Sequence, residues 1–113
     1  MVAQDAAPDR GDIVWISLNP QAGHEQAGRR PVLILSPEAY NGKVGLALCC
    51  PITTQRKGYP FEVDLPVEGT VSGVILADQV KCLDWRARQA DINGSAPIDV
   101  VDEVLGKLAA LLQ

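Results

Sequence analysis

Two patterns of apolar and polar positions divide the chain. Up to about residue 96 the apolar residues come in short runs broken by Gly, Pro and polar turns, and from Pro97 onward they recur with helical spacing. The run DIVWISL (Asp12 to Leu18) is dominated by β-branched and aromatic residues and predicts a strand. PVLILSP (Pro31 to Pro37) predicts a second, EAYNGK a short turn or helical piece, and VGLALCCPI a further strand. The unbroken apolar character of these runs suits strands packed on both faces or closed into a barrel, so they are the expected core. FEVDL (Phe61 to Leu65) alternates apolar with acidic residues and predicts a strand with one wet face. Before it, TTQRKGYP reads as a polar hairpin loop in which Gly58 supplies backbone freedom and Pro60 opens the next strand. PVEGT reads as a turn and SGVILADQV as another strand. KCLDWRARQADI predicts one bent strand or a strand pair, because Asp84 to Arg88 interrupts its apolar pattern. INGSA is the expected loop that closes the β region.

Beyond Pro97, the residues Ile98, Val101, Leu105, Leu108 and Leu112 fall on one helical stripe, widened by Val104 and Leu111. Pro97 suits a first helical turn, and Asp99, Asp102 and Glu103 sit near the positive end of the helix dipole. Many short strands followed by one amphipathic terminal helix predict a small, mainly β barrel of α+β class. Residues 1–10, acidic and proline-broken, are expected to be flexible, and residues 11–113 to form a single domain. No internal repeat or low-complexity tract is present.

Composition narrows the function classes. A chain of 113 residues holds one hydrophobic core without disulfide or metal staples. No run approaches membrane-spanning length and the N-terminus lacks the apolar centre of a signal peptide, so a cytoplasmic protein with no membrane contact is expected. The three cysteines, Cys49, Cys50 and Cys82, are an odd count with two adjacent, and read as buried, reduced core residues. With one histidine and no Cys-x-x-Cys pair, neither a metal ion nor another cofactor is implied.

The net charge of −4 hides an uneven distribution. Residues 1–28 carry one basic and four acidic side chains, residues 29–58 five and one, and residues 59–113 four and nine. Arg29, Arg30, Arg56 and Lys57 lie in two loops that would form a local anion site if they met in space. The stretch GHEQAGRRP (Gly23 to Pro31) is also longer than a simple hairpin needs, and it gathers the only histidine, a glutamate, a glutamine and two arginines.

Each candidate has an ordinary alternative. Arg30 could hold a phosphate, a carboxylate or merely backbone carbonyls. Thr53 and Thr54, at a strand end, could donate to a phosphate oxygen or be plain turn residues. His24 could move protons near neutral pH or be solvated, Glu25 could act as a base or pair with arginine, and Gln26 could read a base edge. Asp78, late in an apolar strand, is a structural partner or a proton acceptor. Trp85 with Arg86 and Arg88 could stack a base, although a core tryptophan with solvated neighbours is the simpler reading.

Taken in order, RGDIVWISLNP, GHEQAGRRPVLILSP, PITTQRKGYPFEV and VILADQVKCLDWRAR resemble the MazF/PemK toxins of bacterial toxin–antitoxin systems, and specifically the MazF branch. The resemblance spans about residues 10–113. It implies an SH3-like barrel of the MazF/Kid/CcdB kind that forms a homodimer, cleaves single-stranded RNA, usually mRNA, at a short sequence without metal, and is inhibited by a MazE-like antitoxin. By motif, Arg30 is the arginine of G-x-R-P, Thr53 the threonine after P-[IV], and Glu25 the glutamate of E-Q. The resemblance gives Arg30 and Thr53 as the catalytic pair. Glu25 is the expected base, because an arginine with a high pKa is a poor one. Gln26, Arg29, Thr54, Gln55, Arg56 and Lys57 are expected along the RNA. In the PemK branch a histidine, an aspartate and an arginine take part; His24 and Asp78 match them, while Leu76 stands where that arginine would be. Two rival readings are a noncatalytic CcdB-like toxin or protein-binding module on the same barrel, and a peptide-binding SH3-like domain, which its scattered aromatics disfavour.

Overall fold

The computed structural model describes residues 6–19, 28–68 and 71–113; His24, Glu25 and Gln26 lie outside them. Seven strands and two helices follow one another: β1 (Asp12–Ser17), β2 (Arg29–Ile34), α1 (Glu38–Val44), β3 (Leu46–Thr53), β4 (Glu62–Glu68), β5 (Val71–Leu76), β6 (Lys81–Asp84), β7 (Asp91–Ser95) and α2 (Ile98–Leu112). The strands pair antiparallel in the order β4-β5-β3-β2-β1-β7, with β6 also on β3.

Strand β3 is the hub. Its first half pairs with β6 through Leu46↔Asp84 to Cys49↔Lys81, and its last residues pair with β5 through Ile52↔Ile75 and Thr53↔Val74. The sheet therefore forks at β3 and curls into a half-barrel. Side-chain alternation separates two buried faces. Val14, Ile16, Val32, Ile34 and Cys49 pack with Trp85 on one, while Ile13, Leu33, Cys50, Ile52, Val63 and Ile75 pack with Val100, Val101 and Val104 of α2 on the other. Two buried faces are why the runs in β1, β2 and β3 read as continuously apolar.

Four expectations from the sequence are corrected. INGSA is not a loop: most of it is strand β7, wholly exposed and paired with β1 across a register shift. An edge strand needs only backbone partners, so its sequence carries no inward apolar signal. PVEGT is mostly strand, because β4 runs on to Glu68. Cys82 is exposed while Cys49 and Cys50 are buried; along β6 the inward residue is Leu83, and Cys82 takes the outer face. Finally, the apolar stripe of α2 is covered only in its middle, where Val101 and Val104 are buried and Leu105 and Leu108 part-buried. Ile98 and Leu112 are 79% and 77% exposed, whereas Val100, outside the predicted stripe, is covered. The helix packs on the sheet from Val100 to Leu108, and only its last residues run past the core.

A buried polar node ties the parts together. The fully buried Asn41 amide donates to the carbonyls of Pro8 and Ser36, both at 2.8 Å, and accepts from Ser36 Oγ at 2.5 Å. Its own carbonyl accepts the Trp85 indole N–H at 2.9 Å. Trp85 is thus a core residue, as the simpler reading expects. Among the described residues no helix is long and apolar enough to cross a membrane.

Candidate active site

The start of β2 and the neighbouring parts of β1, β3 and β5 build a cleft. Its volume is about 180 Å³, and Trp15 of β1, Arg29, Arg30 and Pro31 of β2, Ile52, Thr53 and Thr54 at the end of β3, and Val71 and Ser72 of β5 line it. Both arginines belong to β2 rather than to a loop. The β2–β3 register pairs Val32 with Pro51. Alternation then puts Arg30 and Thr53 on the same face of the sheet, two residues beyond that pair.

Thr53 is held closely. Its side chain is buried and its Oγ1 accepts the Gln55 backbone N–H at 3.2 Å. Behind it β5 approaches without a side chain: a Cβ on Gly73, whose φ is +125°, would lie 2.2 Å from the Thr53 carbonyl oxygen. Only glycine permits that approach. Gly73, Ser72 and Trp15 are site-building residues that the sequence reading missed. An isolated glycine inside a strand pattern was the one available signal, and it marks close backbone approach.

Thr53 also borders a second, narrower pocket of about 30 Å³, room for about one water, lined by Gln55, Lys57, Tyr59, Glu62, Leu76 and Gln79. The two basic segments thus converge at Thr53, with Arg29 and Arg30 on the larger cleft and Lys57 on the smaller. Arg56 lines neither pocket and its guanidinium forms an exposed ion pair with Asp64. The loop itself is braced by Glu62, whose carboxylate accepts the backbone N–H groups of Lys57 at 2.8 Å and Gly58 at 3.0 Å.

Asp78 sits exposed in the turn after β5, not inside the strand, and accepts the Tyr59 hydroxyl at 3.0 Å. Partial burial, then the hydrogen bond to Asp78 and the charges of Asp78 and Glu62, push the Tyr59 phenol up to about 12. Tyr59 therefore remains a donor throughout the physiological range. Arg29 donates from Nη2 to the Gln89 carbonyl at 2.8 Å, so part of its fork is committed to the scaffold. Among the described residues no group of three or more His, Cys, Asp or Glu side chains is placed to hold a metal ion.

Chemically, the larger cleft presents guanidinium groups, hydroxyls and an indole. That combination suits a phosphodiester and an unstacked base. Comparison with known proteins points the same way. The sequence model of the family described as PemK-like, MazF-like toxin of type II toxin–antitoxin systems matches residues 9–112. The endoribonuclease toxin MazF of Escherichia coli strain K12 is 48% identical over 105 residues, covering 93% of this chain and 94% of that protein. The endoribonuclease PemK of Escherichia coli is 35% identical over 117 residues, covering 99% and 87%. Among solved structures, crystalline MazF from Deinococcus radiodurans superposes with a TM-score of 0.90 at 58% identity, covering 94% of this chain and 96% of that one. A MazE–MazF crystal structure from the same organism gives 0.84 at 58% identity over the same shares.

Proposed function

The chain belongs to the PemK-like, MazF-like toxins of type II toxin–antitoxin systems, and from that premise we propose that the Arg30–Thr53 cleft is where it cuts single-stranded RNA. It is an endoribonuclease toxin, and mRNA cleavage would stop translation and growth. The observation that carries the assignment of the cleft is the convergence of Arg30, Thr53, Thr54 and Ser72 on one cavity at the ends of three adjacent strands.

The reaction needs no cofactor. The RNA's own 2′-hydroxyl attacks the adjacent phosphorus, the P–O5′ bond breaks, and a 2′,3′-cyclic phosphate and a 5′-hydroxyl result. A base takes the 2′-proton and an acid supplies one to the departing 5′-oxygen. Arg30 stabilises the charge on the phosphorane and Thr53 binds a nonbridging oxygen. Glu25 is the proposed base and His24 a second proton-handling group. Gln26, Thr54, Gln55 and Lys57 follow the RNA on either side, with Arg29 contributing charge from its anchored position. Asp78, capped by Tyr59 beside the smaller pocket, is read as a positioning group.

The proposed partners are a MazE-like antitoxin, whose acidic segment would compete for the same basic cleft, and a second copy of the chain in a homodimer. The proposed location is the cytoplasm, where both mRNA and antitoxin are made.

The test is incubation of the purified protein with a long single-stranded RNA in excess EDTA, followed by sequencing of fragment ends. Cuts confined to a short sequence, with cyclic-phosphate and 5′-hydroxyl ends, are expected. Arg30→Ala and Thr53→Val should each lower the rate by about 10²-fold or more while remaining folded. Near-normal turnover by either variant removes that residue from the mechanism. No cutting by the folded wild-type protein would favour the noncatalytic module.

A further inference from the structure

The turn between β6 and β7 crosses the end of β1 and the start of β2, two of the strands that line the cleft. Arg88, half-buried in that turn, donates from Nη1 to the carbonyls of Ser17 at 3.0 Å and Asn19 at 2.7 Å. The Ser17 N–H returns a bond to the Arg88 carbonyl at 3.3 Å. Ser17 and Ile16 are the register partners of Arg29 and Arg30. Just beyond them, Leu18 N–H donates to Gly28 O at 2.9 Å and Gly28 N–H to Asn19 Oδ1 at 3.0 Å. From the other side Arg29 reaches the Gln89 carbonyl at 2.8 Å. The turn is thus a clip across β1 and β2, fastened by a guanidinium from each direction.

The clip has a firm base. Trp85 is buried and bonded to Asn41, Ala87 N–H donates to Asp84 Oδ1 at 2.9 Å, and Ala90 N–H donates to Trp85 O at 2.9 Å. Gln89 holds φ = +57°, unusual for a residue other than glycine, and this conformation presents its carbonyl to Arg29. Arg88 itself lines no pocket described above, so its contribution acts through the backbone it grips.

We propose that Arg88 is a positioning residue for RNA cleavage: by bridging the Ser17 and Asn19 carbonyls it fixes the end of β1, against which the start of β2 that carries Arg30 is registered. The proposal rests on the reading of Arg30 as the phosphate-stabilising group. Displacement of a catalytic group by about 1 Å can cost on the order of 10²-fold in rate without loss of binding. Loss of the clip should therefore appear in kcat more than in KM.

The experiment compares wild-type protein with Arg88→Ala, Arg88→Gln, Arg88→Lys and Arg86→Ala on an oligoribonucleotide containing a cut site mapped from the long transcript. Arg86 is the control, since it is exposed on the same turn with its guanidinium over the Trp85 ring and outside the clip. Arg88→Ala should lower kcat by roughly 10- to 100-fold with KM changed less than about three-fold, and millimolar guanidinium should restore part of the loss. Arg88→Lys, which keeps charge and donors, should recover most of it, and Arg86→Ala should match wild type. Circular dichroism and melting temperature report folding. Should Arg88→Ala fail to fold, Arg88→Gln carries the same expectation. Wild-type kcat in a folded Arg88→Ala or Arg88→Gln, a loss confined to KM, or an equal loss in Arg86→Ala would overturn the proposal. A wild-type protein that leaves RNA uncut, or an Arg30→Ala variant with full activity, would instead strike the reading beneath it.

Discussion

Replacing Asn41 by alanine should come close to unfolding the protein, although the residue is fully buried and outside the cleft. The substitution deletes three side-chain hydrogen bonds: the two donated by Nδ2 to Pro8 O and Ser36 O, and the one accepted by Oδ1 from Ser36 Oγ. Each stranded buried partner costs about 1–3 kcal/mol. Taking the low end, because the bonds share one side chain and some water could enter, the loss is about 3–5 kcal/mol. Alanine's better helix propensity in α1 returns only about 0.5 kcal/mol. Against a total stability of about 5–15 kcal/mol for a domain of this size, little margin remains. The assay is urea unfolding of protein made by cell-free synthesis, in which the midpoint should fall with the slope unchanged. Ser36→Ala, which removes the bond to Asn41 and the one from Leu48 N–H, should add to Asn41→Ala by less than its separate cost. A loss below about 1 kcal/mol for Asn41→Ala, or full additivity, would refute the account of a coupled network.

Gly73→Ala should displace Thr53, since the new Cβ would meet its carbonyl at 2.2 Å; cleavage is expected to fall by on the order of 10²-fold. Gly94→Ala, where φ is also positive but nothing lies within 4 Å, is the control and should retain activity. In the native protein only Cys82 should react with a thiol reagent at pH 8, because burial pushes Cys49 and Cys50 up to about 12. Those raised values also make stability fall with pH. Unfolded thiols ionise near 9 while the native ones hold their protons to about 12, so the unfolding midpoint should drop as pH rises through this window. Replacing both buried cysteines by alanine should reduce that slope, leaving the part that the raised Tyr59 phenol contributes, and an unchanged slope would refute the assignment.

Much of the fold was legible because burial imposes period on sequence. The apolar runs of β1, β2 and β3, the alternation in β4 and the helical spacing after Pro97 each report a buried face, and those elements are found. What escaped lacked such a face. Strand β7 is exposed at every position, and the last apolar residues of α2, Leu111 and Leu112, are exposed although they continue its pattern. Cys82 was misplaced for the same reason, since composition alone does not say which side of an edge strand faces in.

At the site, residue types alone offered Arg30 and Thr53 as two candidates among several; the resemblance carried by the ordered motifs singled out the pair and indicated RNA, and the chain's membership of the toxin family supports the RNA reading. Tertiary structure decided how the basic residues divide. Arg56 forms an exposed ion pair with Asp64, part of Arg29 is held by Gln89, and Lys57 borders a pocket too small for a base. It also put Trp15, not Trp85, in the cleft, Gly73 against the Thr53 backbone, and Arg88 on the Ser17 and Asn19 carbonyls. Local propensity and hydrophobic period are properties of neighbours in sequence, so the chain alone determines its strands, its core and its candidate chemistry. Which charges are spent on scaffold and which face a substrate depends on contacts between residues as much as seventy positions apart, such as Arg88 and Ser17, and only folding brings those together.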